Sequence, residues 1–222
     1  MSFDEIEQWT KAGDFSRVNN AIAPLDENAK KEAVDHWNSV GKPVNSLGVL
    51  ETLIVQIAGL KGTAKVDLGK RAALPFCADN GVVEEGVSQS GPEVTSIVAA
   101  NMARGMSSVC VMGRLSGVVC HPVDVGMLYD AEGVLDRKIA RGTNNFTKGP
   151  AMSREQACQA LAVGIECVHD LAGQGYGIIL SGEMGIGNTT TSSALATVLL
   201  GKQVEDVTGR GAGLSDTGLA CK

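Results

Sequence analysis

Three segments of this sequence carry residues whose types and spacing could do chemistry. The strongest is Gly182-Glu183-Met184-Gly185-Ile186-Gly187-Asn188-Thr189-Thr190, set between an apolar run and a helix-forming run. Its outer glycines have the spacing of the loop that wraps nucleoside triphosphates, but Asn188 stands where that loop needs its lysine. The dinucleotide fingerprint fits no better, because Thr190 occupies the place of the third glycine. What survives is the physics that both loops share. Glycines let backbone N–H groups turn toward an anion, and the helix that follows adds the positive end of its dipole. The backbone amides around Ile186 and Asn188 are therefore the expected cradle for a phosphate. A carboxylate beside a phosphate is repelled by it, so Glu183 is expected to face another part of the ligand, a ribose or a centre gaining positive charge. The plainer alternative is a tight strand-to-helix turn with Glu183 solvated.

The second segment, Gly209-Arg210-Gly211-Ala212-Gly213 followed by Lys222, is weak alone but supplies the basic charge that the first lacks. The third runs from Asp79-Asn80-Gly81 through Glu84, Glu85 and Ser88 to Ser90 and Val94-Thr95. It follows a strand, and in an open parallel sheet ligands bind at the carboxyl ends of the strands. Its three carboxylates have a spacing that suits an exposed loop better than a metal site.

These segments need a scaffold. Ala72–Ala78 reads as a buried strand ending in the polar turn Asp79-Asn80-Gly81. Gly91-Pro92 opens a helix with Val94, Ile97, Val98 and Met102 on one side, closing at Gly105. Val118–Val123, continuing to Asp124, is another strand, and residues 126–150 are an excursion of loops and short strands. Ser153-Arg154-Glu155-Gln156 is a capping box that starts a helix of about five turns ending near Gly173. Gly177–Leu180 is a strand, Ser181–Asn188 the glycine loop and Thr189–Leu200 a helix. The expected fold is therefore α/β: a doubly wound, mostly parallel sheet with helices on both faces, Rossmann-like. Ahead of it lies a small helical portion. Phe3, Ile6 and Trp9 fall at helical spacing, Asp26 can cap a helix running to about Trp37, and Leu47, Leu50, Ile54 and Ile57 share one face of a helix ending near Gly59. The expected division is 1–60 for the helical portion and 61–222 for the α/β domain. At the far end, Ser215-Asp216 caps a helix with little chain left to form it, so the chain reads as cut.

Composition removes several classes of function. The net charge is −6 and no basic cluster occurs, which argues against nucleic acid. The six cysteines form no C-x-x-C pair and lie mostly in apolar runs, as small buried hydrophobes do. No signal peptide and no bilayer-length apolar run is present, so the protein reads as cytoplasmic. The 28 glycines are too scattered for a linker and sit at the ends of apolar runs.

Six collinear motifs resemble the nicotinate-nucleotide:dimethylbenzimidazole phosphoribosyltransferase family, which makes the lower-ligand nucleotide of cobalamin. They are Lys42–Glu51, Ala78–Val87, Ala100-Asn101-Met102 with Arg104-Gly105, Val123–Gly126, Ala140-Arg141-Gly142 with Asn144 and Gly149–Arg154, joined by the loop Gly182–Thr190. The resemblance implies transfer of phosphoribose from nicotinate mononucleotide to 5,6-dimethylbenzimidazole or a related aromatic base, with inversion at the anomeric carbon. It makes Glu183 an auxiliary catalytic carboxylate. It makes Gly182, Gly185, Ile186, Gly187, Asn188, Thr189, Gly211 and Lys222 nucleotide contacts, and it places Asp79, Asn80, Ser90 and Val98 at the aromatic-base pocket. No cofactor and no metal is implied, the partners are small-molecule substrates, and family members are homodimers.

Three positions depart from the family pattern. Asn80 stands for a usual His, Val98 for a frequent Gln and Asn45 for a common Gly, and such changes could alter which base is accepted. The family's principal catalytic base is a Glu in an R-L-G-E-G segment, which does not occur here. The 222 residues are thus expected to be a fragment with little activity alone; a non-catalytic nucleotide-binding module or one subunit of a split enzyme is the alternative.

Overall fold

A computed structural model of the chain describes residues 22–222 together with Gln8, Ala12, Ser16 and Asn20. The helix expected around Phe3, Ile6 and Trp9 lies outside the described residues. Among them, one compact unit takes in Ser16, Asn20 and residues 22–69, and the other takes in Gln8, Ala12 and residues 70–222.

The first unit is helical. Helix α1 (Glu27–Ser39) starts where Asp26 predicts, its Oδ1 accepting from the N–H groups of Asn28 and Ala29 at 2.9 and 3.0 Å. Such a cap contributes about 1 kcal/mol. Helix α2 (Val49–Lys61) runs past Gly59 and ends instead at Gly62, a left-handed cap with φ 66°. Gly59 is a point of close approach inside the helix: a Cβ there would lie 2.7 Å from Lys30 Cγ. Ahead of α2, Asn45 adopts φ 56°, which explains how it can stand for a glycine, since Asn tolerates the left-handed region. Buried Glu51 then ties the turn together, bonding Lys42 Nζ at 2.8 Å and accepting from Leu47 N–H at 3.0 Å. The Lys42 ammonium holds that carboxyl below its usual range.

The second unit is a parallel sheet with helices on both faces. In chain order its elements are β1 (Lys70–Ala78), a 3-10 turn (Gly81–Glu85), α3 (Glu93–Ala103), α4 (Ser108–Leu115), β2 (Val118–Cys120), β3 (Val123–Gly126), β4 (Leu135–Asp136), α5 (Arg154–Gly173), β5 (Tyr176–Met184), α6 (Asn188–Leu200), α7 (Val204–Val207) and α8 (Asp216–Cys221). Every pairing is parallel. β5 runs along β1 from Lys70 to Cys77, so β2 and β3 share the opposite edge, β2 near its start and β3 near its end. β4 lies outside β3. The single strand expected over residues 118–124 is broken at His121-Pro122, where proline has no N–H for the ladder.

Alternation along β1 assigns the two layers. Ala72 and Leu74 point to α5, meeting Val163, Cys167 and Leu171, while Cys77 on the other face meets Ala99 of α3. α5 begins with the expected capping box, Ser153 and Gln156 each bonding the other's backbone N–H. Its buried residues Cys158, Ala162, Val163, Cys167 and Leu171 form one stripe; burying a Val or Leu side chain contributes about 1.5–3 kcal/mol. From β1 the chain moves to β2 and β3 on one side, and later returns to β5 on the other. The carboxyl ends of β1 and β5 therefore frame the crevice at which such sheets bind ligands.

Candidate functional site

The glycine loop sits in that crevice, but more of it is strand than expected. β5 continues through Ser181, Gly182 and Glu183 to Met184, in register with Leu74–Cys77. The ladder with β1 keeps these residues extended, so Glu183 projects from a rigid strand end. Gly185 then passes so close to β1 that a Cβ would lie 2.1 Å from Ala78 O. Gly187 turns the chain at φ 87°, where a Cβ would stand 2.7 Å from Val83 Cγ2. The first glycine is demanded by close approach, the second also by its backbone angle.

The two amides expected to cradle an anion are already engaged. Ile186 N–H donates to Thr95 Oγ1 at 3.1 Å, and Asn188 N–H donates to Gly185 O at 3.1 Å. Thr95 is the reason for the first: it is wholly buried on α3, and a buried hydroxyl takes a partner. What the loop offers a ligand is the start of α6. There Lys222 Nζ donates to Thr189 Oγ1 at 2.8 Å and to Gly209 O at 2.9 Å. Gly211, at φ 56°, leaves room for this junction, since a Cβ would lie 2.5 Å from Thr189 Oγ1. Partial burial lowers the Lys222 ammonium below the usual lysine value. Arg210 turns elsewhere, to Leu214 O and to Asp216.

On the other side of the α6 terminus, Glu183 accepts a hydrogen bond from Asn188 Nδ2. The residue as a whole is exposed, yet loss of water around its carboxyl raises its pKa, with the Asn188 bond opposing. Glycines 185 and 187, Ile186, Asn188 and Thr189 line a small hollow closed by Val87, Ser88 and Gln89 on one wall and by Arg210, Ala212 and Leu214 on the other. Gln89 Nε2 donates to Gly213 O and ties the walls together. The hollow holds about 50 Å³, and Gly182, Gly211 and Lys222 do not line it.

The four residues expected around an aromatic base are not gathered at this hollow. Asp79 lies inside the protein: its Oδ2 accepts from Leu128 N–H at 2.8 Å and its Oδ1 has no hydrogen-bond partner. Burial pushes its carboxyl up, against the Leu128 N–H and the nearby Thr95 hydroxyl. Asn80 is used at both ends, Nδ2 donating to Ile186 O at 3.1 Å and Oδ1 accepting from the Thr191 hydroxyl at 2.9 Å. Ser90 N–H bonds Ser88 Oγ at 3.3 Å, Val98 lies on α3, and neither lines the hollow. Glu84 and Glu85 diverge from Asp79 onto Lys148 and Asn145. Among the described residues no group of three or more His, Cys, Asp and Glu could hold a metal ion.

The remaining motifs fold the 126–150 excursion back onto the sheet. Lys138 Nζ reaches buried Asp124 at 2.5 Å, and Asp124 Oδ1 accepts from Gly126 and Met127 N–H. Gly142 N–H bonds Gly126 O, and Asn144 N–H bonds Ala151 O. Thr95, named only as the end of the third segment, and Thr191 and Gln89, not named, are site residues whose roles the sequence does not give. For Thr95 a signal existed, a hydroxyl on the apolar side of a helix; for the other two there was none.

Compared with known proteins, residues 22–222 match the family model described as phosphoribosyltransferase. The nicotinate-nucleotide–dimethylbenzimidazole phosphoribosyltransferase of Alkaliphilus metalliredigens is 43% identical over 204 residues, covering 90% of this chain and 58% of the relative. The enzyme of that name from Acetivibrio thermocellus is 45% identical over 187 residues, 83% of this chain and 53% of the relative. A crystal structure titled as the same enzyme from Thermus thermophilus superposes with TM-score 0.80 at 36% identity, over 89% of this chain and 59% of that one. The chain thus spans little more than half the length of these relatives. With the family model matched over residues 22–222 and a solved relative superposing over 89% of the chain, this chain belongs to the phosphoribosyltransferase family.

Proposed function

We propose that this chain carries the nucleotide-binding part of an enzyme that transfers phosphoribose from nicotinate mononucleotide to 5,6-dimethylbenzimidazole, or a related aromatic base, for cobalamin assembly. The observation that carries this reading is the pair of successive residues at the start of α6: Asn188 holds the Glu183 carboxylate and Thr189 holds the Lys222 ammonium. A substrate with a phosphate at one end and a carbon gaining positive charge at the other suits that separation of charges. Lys222, the Thr189 hydroxyl and the dipole end of α6 would hold the phosphate, with Gly211 keeping the space. Glu183 would stabilise the ribose as the bond to cationic nicotinate loosens and an azole nitrogen attacks from the opposite face. The base that takes the azole proton lies, on the family resemblance, outside these 222 residues. The closed hollow must widen for a ligand to enter, which releases Gln89 from Gly213. The enzyme is further proposed to act in the cytoplasm as a homodimer.

Titration calorimetry on this polypeptide with nicotinate mononucleotide and with nicotinate riboside tests the reading. The mononucleotide is expected to bind about tenfold or more tightly, the worth of one charge-assisted phosphate contact. Equal affinities, or no binding of either, would remove the phosphate site. A turnover assay with added dimethylbenzimidazole is expected to give little product, and rapid turnover would show that the base lies within this chain.

A further inference from the structure

Ile186 stands between two glycines, Gly185 and Gly187, at the point where the chain leaves β5 for α6. The two residues that flank it have the widest choice of backbone angles, so the loop does not by itself fix the orientation of its peptide groups. Yet both backbone hydrogen-bonding groups of Ile186 are held by side chains from elsewhere. Its N–H donates to Thr95 Oγ1 at 3.1 Å, and its C=O accepts from Asn80 Nδ2 at 3.1 Å. Thr95 is fully buried on α3, beside the buried carboxyl of Asp79 at the end of β1. Asn80 is anchored in turn, its Oδ1 accepting from the Thr191 hydroxyl at 2.9 Å in the first turn of α6.

We propose that Thr95 and Asn80 are positioning residues of the nucleotide loop, which clamp Ile186 from both sides and so fix the orientation in which α6 presents Thr189 to the phosphate. This rests on the proposed function for the ligand, but the clamp is testable without it. In this role each acts through Ile186, whatever further contact Asn80 makes with the base. Histidine is the conservative replacement for Asn80 in this role. A neutral imidazole offers one N–H donor and one acceptor nitrogen, the same two roles that the Asn80 amide fills.

The test is amide hydrogen exchange at Ile186 by NMR, with calorimetric affinity for nicotinate mononucleotide, in Thr95→Val, Thr95→Ser, Asn80→Ala and Asn80→His. Thr95→Val is expected to speed Ile186 exchange by about tenfold, the equivalent of one hydrogen bond, while Ile179 within β5 keeps its protection. The affinity for the mononucleotide falls by a similar factor. Thr95→Ser, which keeps the hydroxyl, restores both, and Asn80→His restores what Asn80→Ala loses in affinity. Unchanged Ile186 exchange in Thr95→Val overturns the proposal, as does a serine variant that behaves like the valine one. Should Thr95→Val fail to fold, the Asn80 pair decides by the same affinity readout. If the unmodified chain binds no mononucleotide, the functional reading falls, and the exchange measurements still decide the clamp.

Discussion

Replacing Gly185 by alanine adds one methyl group at the tightest point of the site. The Cβ would lie 2.1 Å from Ala78 O, 2.9 Å from Glu183 Oε1 and 3.0 Å from Asn80 Nδ2. The carboxylate and the amide can rotate away, but the Ala78 carbonyl belongs to the backbone of the central strand. To reach ordinary contact, the loop and β1 must separate by more than about 1 Å, in an interior that resists such displacement. Overpacking of this kind costs about 1–3 kcal/mol, and a backbone obstacle puts Gly185→Ala at the upper end. For a chain of this size that is a fall in Tm of about 5–10 °C. The control is Gly164→Ala, in the interior of α5, where a Cβ meets nothing within 4 Å. It is expected to gain about 0.5–1 kcal/mol from helix propensity and to melt slightly higher. Thermal unfolding followed by circular dichroism, with mononucleotide affinity measured alongside, reads both variants. If Gly185→Ala melts with the unmodified protein and binds as it does, the close approach of loop and strand is not what requires glycine there.

Lys222→Ala is expected to weaken nicotinate mononucleotide about 10- to 100-fold while barely changing the riboside, because it removes a charged donor to phosphate. Burial lowers the Lys222 pKa below the ordinary 10.5, so in the free protein its charge is lost at a lower pH than for an exposed lysine. Affinity should therefore decline as pH rises through that lowered value, and the alanine variant should lack this alkaline decline; identical pH profiles would contradict the assignment. Asp79 is the opposite case, its carboxyl raised above the ordinary 3.8 chiefly by burial. The folded state then holds the proton more tightly than the unfolded state, so its contribution is full below 3.8 and is lost as pH rises through the raised value. Urea unfolding should show the advantage of the unmodified protein over Asp79→Asn shrinking as pH rises above 3.8, and a constant difference would refute that reading.

Much of the frame was legible because it depends on local chemistry. Asp26 as a cap, the Ser153/Gln156 capping box and the α5 stripe each follow from side chains a few residues apart. The parallel sheet followed from the alternation of strands and helices. The failures have a common origin in partners distant along the chain. Gly59 reads as a stop signal, and only the proximity of Lys30 shows it to be a contact within a continuing helix. Ser181–Met184 read as loop until β1 pairs with them. Helix α4, eight residues long, is too short for periodicity to announce it.

The same division runs through the site. Sequence by itself determined which residues of the proposed site carry charge and flexibility: the glycine loop, Glu183, Gly211 and Lys222, with the helix after the loop to supply a positive end. Folding decided how each is used. The amide of Ile186, free in any reading of the loop alone, is taken by Thr95, while that of Asn188 is closed within the loop by Gly185 O. Asn80 became a tie between loop and helix, and Lys222 rather than Arg210 reaches Thr189 at the start of α6. A hydrogen-bonding group is committed by whichever partner lies nearest in space, and that partner can be a hundred residues away along the chain.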